Sequence, residues 1–229
     1  MLESTRTVAE IVLDHPELAE VFQRHHIDFC CHGDVPLDEA VRARGIDPGV
    51  VQDELSRAIG QAPRAKTDPR ALDNEALVAL IIDRFHKPLR KLLGLLPGLS
   101  NKVAEVHADH DPRLRQVARL IDRAADQLIP HLAEEENGLF PLLLSASPDS
   151  LDVEERLRNM VADHLALAPL LEMLRALTDD FSAPDWACSS LELTYRKSAE
   201  LVSETLQHVH LENHLLAPRF RPGGALFGR

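Results

Sequence analysis

The sequence has 229 residues, of which 45% are hydrophobic and 4% aromatic, and its formal net charge is −12. This length suffices for one sizeable core, or for a core and a small second domain. The negative charge argues against nucleic-acid binding, and no apolar run approaches the ~20 residues that a membrane-spanning helix needs. The first ten residues lack the basic-then-apolar pattern of a secretory signal. We therefore expect a cytoplasmic protein without nucleic-acid or membrane partners.

The cysteine content indicates reduced thiols. The chain has three cysteines, Cys30, Cys31 and Cys188, and an odd number without a secretory signal argues against a disulfide framework. The adjacent Cys30 and Cys31 are also poorly placed to bridge each other. Cys188 is interpreted as a small packing residue.

Residues 1–60 are predicted to form a small helical domain. Leu, Ala, Glu and Arg favour helix, and strand-favouring residues are not concentrated anywhere. Four short helices are predicted, at residues 8–13, 16–25, 37–44 and 48–59. Residues 28–33 read Asp-Phe-Cys-Cys-His-Gly, which is typical of a turn. Residues 61–70 contain two prolines and little apolar bulk and are predicted to be a linker.

Residues 71–220 carry four long helical patterns. They lie at residues 73–96, 111–144, 151–177 and 185–216. The first is expected to end before Pro97 and the last at Pro218, while Pro130 and Pro169 predict kinks or breaks. Four long helices with short connections predict an all-α fold with an antiparallel four-helix bundle.

Each long helical pattern carries a histidine, and two patterns add a glutamate four residues later. Residues four apart lie on one face of a helix, so His131 with Glu135, and His208 with Glu212, can each face one centre. The apolar residues around them indicate buried faces. The candidate metal ligands are His86, His131, Glu135, His164, His208 and Glu212.

This combination of residue types indicates a pair of metal ions. Buried imidazoles and carboxylates need partners, which two ions would supply. The two glutamates can bridge the ions, and the four histidines can occupy terminal positions, two per ion. Inward-facing carboxylates and histidines recur in bundles that hold two irons. The same ligands also suit manganese or zinc, so the residues alone leave the metal open.

The polar residues beside the candidate ligands have plainer interpretations. Glu134 and Glu136 lie about 100° to either side of Glu135 and are expected on a solvated face. His210 and His214 miss the ligand face and are expected at the surface.

Several strings of residues resemble a known family. The bundle resembles a hemerythrin-type domain. The whole chain resembles the iron–sulfur cluster repair di-iron proteins, which add a small N-terminal domain with an Asp-aromatic-Cys-Cys-x-Gly motif. Here that motif is residues 28–33. Other family-like strings are Phe85-His86 with Leu89-Arg90, Val106-His107-Ala108-Asp109, Leu139-Phe140-Pro141 and residues 208–213. His107 is accordingly a candidate for an outer contact to the metal site.

The resemblance implies a cofactor, a role for the cysteines and a function. The cofactor would be two non-haem iron ions bridged by oxo and carboxylate groups, with Glu135 and Glu212 as the bridging residues. Cys30 and Cys31 would be the reactive thiols. The function would be repair of iron–sulfur clusters damaged by oxidative or nitrosative stress, with iron donation as one route. The partners would be damaged iron–sulfur proteins, and formation of a homodimer is left open.

Two positions depart from related patterns. His32 stands where glycine is more usual in the cysteine motif, and it could act as an extra ligand or tune the thiols. Oxygen-carrying hemerythrins have a second histidine four residues after the one on the third helix, where this chain has Ala168. The missing histidine favours reactive or labile iron over reversible oxygen storage.

Three other functions compete with cluster repair. A hemerythrin-like sensor or binder of oxygen or nitric oxide would favour a fused output domain. A di-iron oxidase or ferroxidase would usually have more carboxylates. A zinc-filled or metal-free structural bundle would be distinguished by spectroscopy.

Overall fold

The structure, a computed structural model, describes residues 5–61, 68–145 and 150–221. Within these ranges the backbone forms helices, turns and a single isolated bridge between Thr7 and Pro36, without a β-strand. The prediction of an all-α fold is therefore confirmed. Most of the predicted linker, residues 62–67, lies outside the described residues. No described helix is both long and apolar enough to cross a membrane.

The chain divides into two compact units. The first comprises Met1–Leu77 together with Leu206–Arg229, and the second comprises Val78–Thr205. The first unit therefore combines the N-terminal helices with a C-terminal segment that is distant in the sequence.

Short helices build the N-terminal part of the first unit. They are α1 (Val8–Asp14), α2 (Ala19–Arg24, after a 3-10 turn at Pro16–Leu18), α3 (Leu37–Ala43) and α4 (Pro48–Gln61). Thr7 begins α1 with a capping box: its hydroxyl accepts from the amide of Glu10, whose carboxylate accepts from the amide of Thr7. These reciprocal bonds satisfy two amides at the start of the helix.

The remaining helices include the four longest of the described helices, and most of their residues lie in the second unit. They are α5 (Asn74–Ile81), α6 (Lys87–His107), α7 (Arg113–Glu134), α8 (Phe140–Leu143), α9 (Ser150–Leu177) and α10 (Ser189–Leu211). Helix α7 packs against both α6 and α9. A buried cluster joins Val103 and Ala104 of α6 to Leu114 of α7 and to Leu191 and Tyr195 of α10. These long helices form the expected bundle.

The prediction that the first long helix ends before Pro97 is wrong. Helix α6 continues through Pro97 to His107, and Pro130 and Pro169 likewise lie inside α7 and α9 without ending them. A proline inside a helix costs about 3 kcal/mol. Burial of large apolar side chains returns roughly 1.5–3 kcal/mol each, and α6 buries Val103 after its proline. Packing thus outweighs the local cost.

Three π-helical turns interrupt the long helices. They are Ile82–His86, Glu135–Leu139 and Glu212–Leu216. Each turn is followed two residues later by a proline, namely Pro88, Pro141 and Pro218. Because proline has no N–H and its ring crowds the carbonyl four residues earlier, the residue before it donates to the carbonyl five residues back. Every turn contains a predicted metal ligand.

Candidate metal centre

Four of the predicted ligands lie buried together in the second unit. His86 ends the first π-turn, His131 is on the last turn of α7, Glu135 begins the second π-turn, and His164 is on α9. All four are at most 8% exposed. One ligand atom each from His131, Glu135 and His164 lies within 4.8 Å of the others. Buried imidazoles and carboxylates this close form a donor set that suits iron, manganese or zinc.

Glu135 offers one carboxylate oxygen to each of two histidines. Its Oε2 lies 3.6 Å from Nε2 of His86, and its Oε1 lies 3.2 Å from Nε2 of His131. The two histidines come from different helices, so the carboxylate lies between two nitrogen donors. This arrangement suits a carboxylate that bridges two cations.

His131 and His164 direct equivalent ring atoms at each other. Their Nε2 atoms are 3.1 Å apart, and the two rings meet edge to face. Two imidazole nitrogens at this distance can converge on one cation. The fit of the residues to a metal therefore rests on donor chemistry as well as on sequence spacing.

Two further carboxylates hold the outer nitrogens of these histidines. Glu136 accepts from Nδ1 of His86 at 3.0 Å, and Asp163 accepts from Nδ1 of His131 at 3.3 Å. The bond from His131 lowers the pKa of Asp163, which keeps that carboxylate ionised. A proton held on Nδ1 leaves the Nε2 lone pair for a metal. The expectation that Glu136 lies on a solvated face is wrong, since it contacts the buried His86 ring.

The other two predicted ligands lie in the first unit. His208 is on the last turn of α10 and Glu212 begins the third π-turn, and both side chains are fully buried. Nε2 of His208 lies 2.9 Å from Oε2 of Glu212. The spacing of four residues therefore places imidazole and carboxylate side by side, as predicted for an i, i+4 pair.

The dicysteine turn, residues 28–33, is organised around Asp28. Oδ1 of Asp28 accepts from the amides of Cys30 and Cys31, both at 2.9 Å, and Oδ2 accepts from Nδ1 of the exposed His32 ring at 2.8 Å. Burial raises the pKa of Asp28, but the bonds from Cys31, His32 and Cys30 outweigh it and leave the pKa below its usual range. His32 thus orients the carboxylate that shapes the turn.

Both thiols of the turn are buried. The Sγ atoms of Cys30 and Cys31 are 3.6 Å apart, and Sγ of Cys30 lies 3.3 Å from Oδ1 of Asp28. The hydrogen bond to Cys31 and burial raise the pKa of Cys30 well above the usual thiol value. One ligand atom each from Asp28, Cys30 and Cys31 lies within 4.8 Å of the others, as a metal group would require.

Three side chains from the C-terminal segment hold the dicysteine turn. His210 donates from Nδ1 to the carbonyl of Phe29, while Asn213 and His214 both donate to the carbonyl of Cys30, each at 2.9 Å. The expectation that His210 and His214 lie at the surface is therefore wrong. Burial and the neighbouring His214 lower the pKa of His210 to about 3, so its ring is neutral at physiological pH.

His107 does not serve the metal centre. It ends α6, and the 21 residues of that helix separate it from His86 by about 30 Å. Its Nε2 lies 3.1 Å from Sγ of Cys188, and its ring contacts Trp186. Cys188 also packs against the buried cluster between α6, α7 and α10, as expected of a packing residue.

A cavity of about 460 Å³ reaches two of the candidate metal ligands of the second unit. Its lining includes His131, His164 and Asp163 together with the apolar Leu128 and Leu167. A small molecule or an ion can therefore approach these two histidines without unfolding of the helices.

Comparison with known proteins agrees with this site. Residues 78–220 match the family model of the hemerythrin HHE cation binding domain, and residues 4–59 match ScdA_N, a domain of unknown function. The first match defines the class of protein, a helical cation-binding bundle.

Relatives over nearly the whole chain refine this class. The iron–sulfur cluster repair protein ScdA of Staphylococcus haemolyticus is 33% identical over 96% of this chain and 100% of its own length. ScdA of Staphylococcus epidermidis is 30% identical over 94% and 98%, and YtfE of Edwardsiella ictaluri, also an iron–sulfur cluster repair protein, is 29% identical over 93% and 96%. The chain therefore belongs to the hemerythrin HHE family and, within it, to the ScdA and YtfE family of proteins.

Proposed function

We propose that this protein is a non-haem di-iron protein that repairs iron–sulfur clusters damaged by oxidative or nitrosative stress. The observation that carries the proposal is the position of Glu135 between two histidine nitrogens. The relatives named for cluster repair match nearly the whole chain, which supports the same function here. They do not favour the alternative of an oxygen or nitric oxide sensor.

We propose one site for two irons, with Glu135 and Glu212 as bridging carboxylates. The histidine ligands would be His86, His131, His164 and His208. A single cation-binding domain match across residues 78–220 contains all six residues, which supports their assignment to one centre. When bound, the two irons would supply redox chemistry and a source of ferrous iron.

The protein's own residues prepare these donors. Glu136 and Asp163 hold protons on the outer nitrogens of His86 and His131, so the inner nitrogens keep their lone pairs. Burial of the ligand side chains excludes bulk water and strengthens their interaction with a cation. The cavity beside His131 and His164 gives small reactants a route to this donor set.

Cys30 and Cys31 are the proposed catalytic thiols, which contact the damaged cluster or its iron. Thiolates bind iron and its clusters strongly. Asp28 lies beside Sγ of Cys30, and these three residues form a second group with metal-ligand spacing. Because the pKa of Cys30 is raised, its thiol keeps its proton until iron or another cation approaches.

The same comparisons support the proposed domain organisation. The matches at residues 4–59 and 78–220 support a small domain at 1–60, a linker at 61–70 and a bundle at 71–220. The three free thiols support action in the reducing cytoplasm. The partners would be damaged iron–sulfur proteins.

The test is a metal analysis followed by a repair assay. Protein purified anaerobically and loaded with ferrous iron should contain about two irons per chain, the number proposed here, and should show oxo-bridged ferric absorption after oxidation. It should restore an enzyme whose [4Fe–4S] cluster was damaged by peroxide. Cys30→Ser and Cys31→Ser should keep the iron and lose repair, while Cys188→Ser should keep both. Zinc, or no metal after loading, would exclude the di-iron mechanism.

A further inference from the structure

The contacts between the dicysteine turn and the C-terminal segment lie within the first unit. His210, Asn213 and His214 follow the spacing i, i+3 and i+4, which places them on one side of the helical segment. They donate to two consecutive carbonyls, those of Phe29 and Cys30. Asn213 is fully buried, and His210 and Phe29 are nearly so. The dicysteine turn is thus held through its backbone carbonyls, and none of these three hydrogen bonds uses a thiol.

The same segment carries two of the proposed iron ligands. At about 100° per residue, His208 and Glu212 lie on one side of the helix, and the three donors lie roughly on the opposite side. Asn213 and His214 also belong to the π-turn that Glu212 begins. A shift of this turn therefore moves the donors and the ligand carboxylate together.

Hydrogen-bond energies link the dicysteine turn to the C-terminal segment. A buried carbonyl that loses its partner costs about 1–3 kcal/mol, and two donors converge on the carbonyl of Cys30. The dicysteine turn cannot leave the segment without that cost. Conversely, the C-terminal segment cannot rearrange when iron leaves His208 and Glu212 without disturbing the dicysteine turn.

We propose that His210, Asn213 and His214 are positioning residues that couple the chemical state of Cys30 and Cys31 to metal coordination by His208 and Glu212. The proposal rests on the di-iron function proposed above. Coupling between two sites is reciprocal for equilibria: if iron stabilises the closed turn that buries the thiols, the open turn that alkylation traps must bind iron more weakly by the same factor. Work on a cluster by the thiols would then promote release of iron from the bundle.

The experiment measures alkylation of Cys30 and Cys31 by iodoacetamide in the full-length protein, with and without ferrous iron. Peptide mass spectrometry separates these thiols from Cys188. In the wild type we expect iron to slow alkylation about tenfold, within the 5- to 150-fold range of typical coupling. Asn213→Leu removes a donor to the carbonyl of Cys30 while keeping a similar side-chain volume. In this variant the ratio of the alkylation rates without and with iron should approach one. Alkylated wild-type protein should bind iron about tenfold more weakly.

The matched control is Thr205→Val. Thr205 is buried on the same helix, but its hydroxyl donates to the carbonyl of Leu201 in that helix. Thr205→Val should keep the tenfold ratio of alkylation rates. If a general loss of stability were the cause, Thr205→Val and Asn213→Leu would change the ratio alike. His214→Leu removes the second donor to Cys30 and provides a second variant if Asn213→Leu fails to fold.

The outcomes separate this coupling from the di-iron proposal. A ratio near one in the wild type, or an unchanged ratio in both Asn213→Leu and His214→Leu, would overturn the coupling while the iron content still supported the di-iron site. Failure to bind iron, read from the metal content alone, would overturn both proposals.

Discussion

The candidate metal ligands of the second unit and the dicysteine turn of the first are both buried polar sites, but they are built differently. Glu135 and His131 meet through a spacing of four residues on one continuous helical segment. The dicysteine turn instead contacts side chains that are between 181 and 184 positions further along the sequence. Local periodicity specifies the His131 and Glu135 pair, whereas every contact of the dicysteine turn with the C-terminal segment depends on tertiary packing. Variants should therefore act on iron in one region and on thiols or folding in the other.

The largest effect is expected for Glu135→Ala. Removal of the carboxylate between His86 and His131 leaves two buried imidazoles without their shared anion, so we expect loss of about 100-fold or more in iron affinity. Metal analysis and the visible spectrum after ferrous loading check this.

The matched control for that variant is the adjacent Glu134→Ala. Glu134 is half-exposed and pairs with Arg156 rather than with a ligand. It should retain two irons per chain, as proposed for the wild type. Equal iron loss in both variants would show that helix stability, and not the bridging carboxylate, governs binding.

A smaller effect on the same site is expected for Glu136→Ala. Without its carboxylate, His86 loses the acceptor that holds its Nδ1 proton. Iron affinity should fall about 10- to 100-fold, as is usual for outer partners of metal-binding histidines. Competition with a ferrous chelator measures this change. Asn137→Ala, which removes only a bond to the carbonyl of Ala133, should leave the affinity unchanged.

Gly33→Ala tests the dicysteine turn through close packing. A Cβ at this position would lie 2.5 Å from the carbonyl oxygen of Phe29 and 2.8 Å from Cβ of Ala9, so the turn must shift. We expect a loss of about 2 kcal/mol in the free energy of unfolding and faster alkylation of Cys30 and Cys31. Gly60→Ala in α4 meets open space and should stabilise the helix by about 0.5–1 kcal/mol. Urea unfolding of metal-free protein compares the two variants.

The sequence predicts candidate metal ligands but not the residues that surround them. Spacing of four residues selects His131 with Glu135 and His208 with Glu212, because residues four apart share a face. His86 and His164 are candidates because each long helical pattern carries a histidine.

The spacing also indicated correctly that His210 lies away from the ligand face. The spacing could not indicate that His210 is buried, because its hydrogen-bond partner Phe29 lies 181 residues away in the sequence. The prolines were a further signal in the sequence that was not used. Pro88, Pro141 and Pro218 each follow a π-helical turn that contains a candidate ligand.

The smallest expected effect concerns Asp28 and depends on pH. Because the pKa of Asp28 is lowered on folding, its ionised form contributes stability above the unfolded pKa of about 3.9. That contribution is lost as the pH falls through the lower folded value. Asp28→Asn should therefore destabilise metal-free protein by on the order of 1 kcal/mol at pH 7, and the difference from wild type should shrink below about pH 4.

Urea unfolding between pH 7 and pH 3 measures that difference. His32→Ala provides the comparison, because it removes one of the bonds that lower the pKa while the carboxylate and both amide contacts remain. It should show a smaller loss of stability with the same dependence on pH. A loss in Asp28→Asn that persists unchanged at pH 3 would mean that the shape of the side chain, rather than its charge, supports the dicysteine turn.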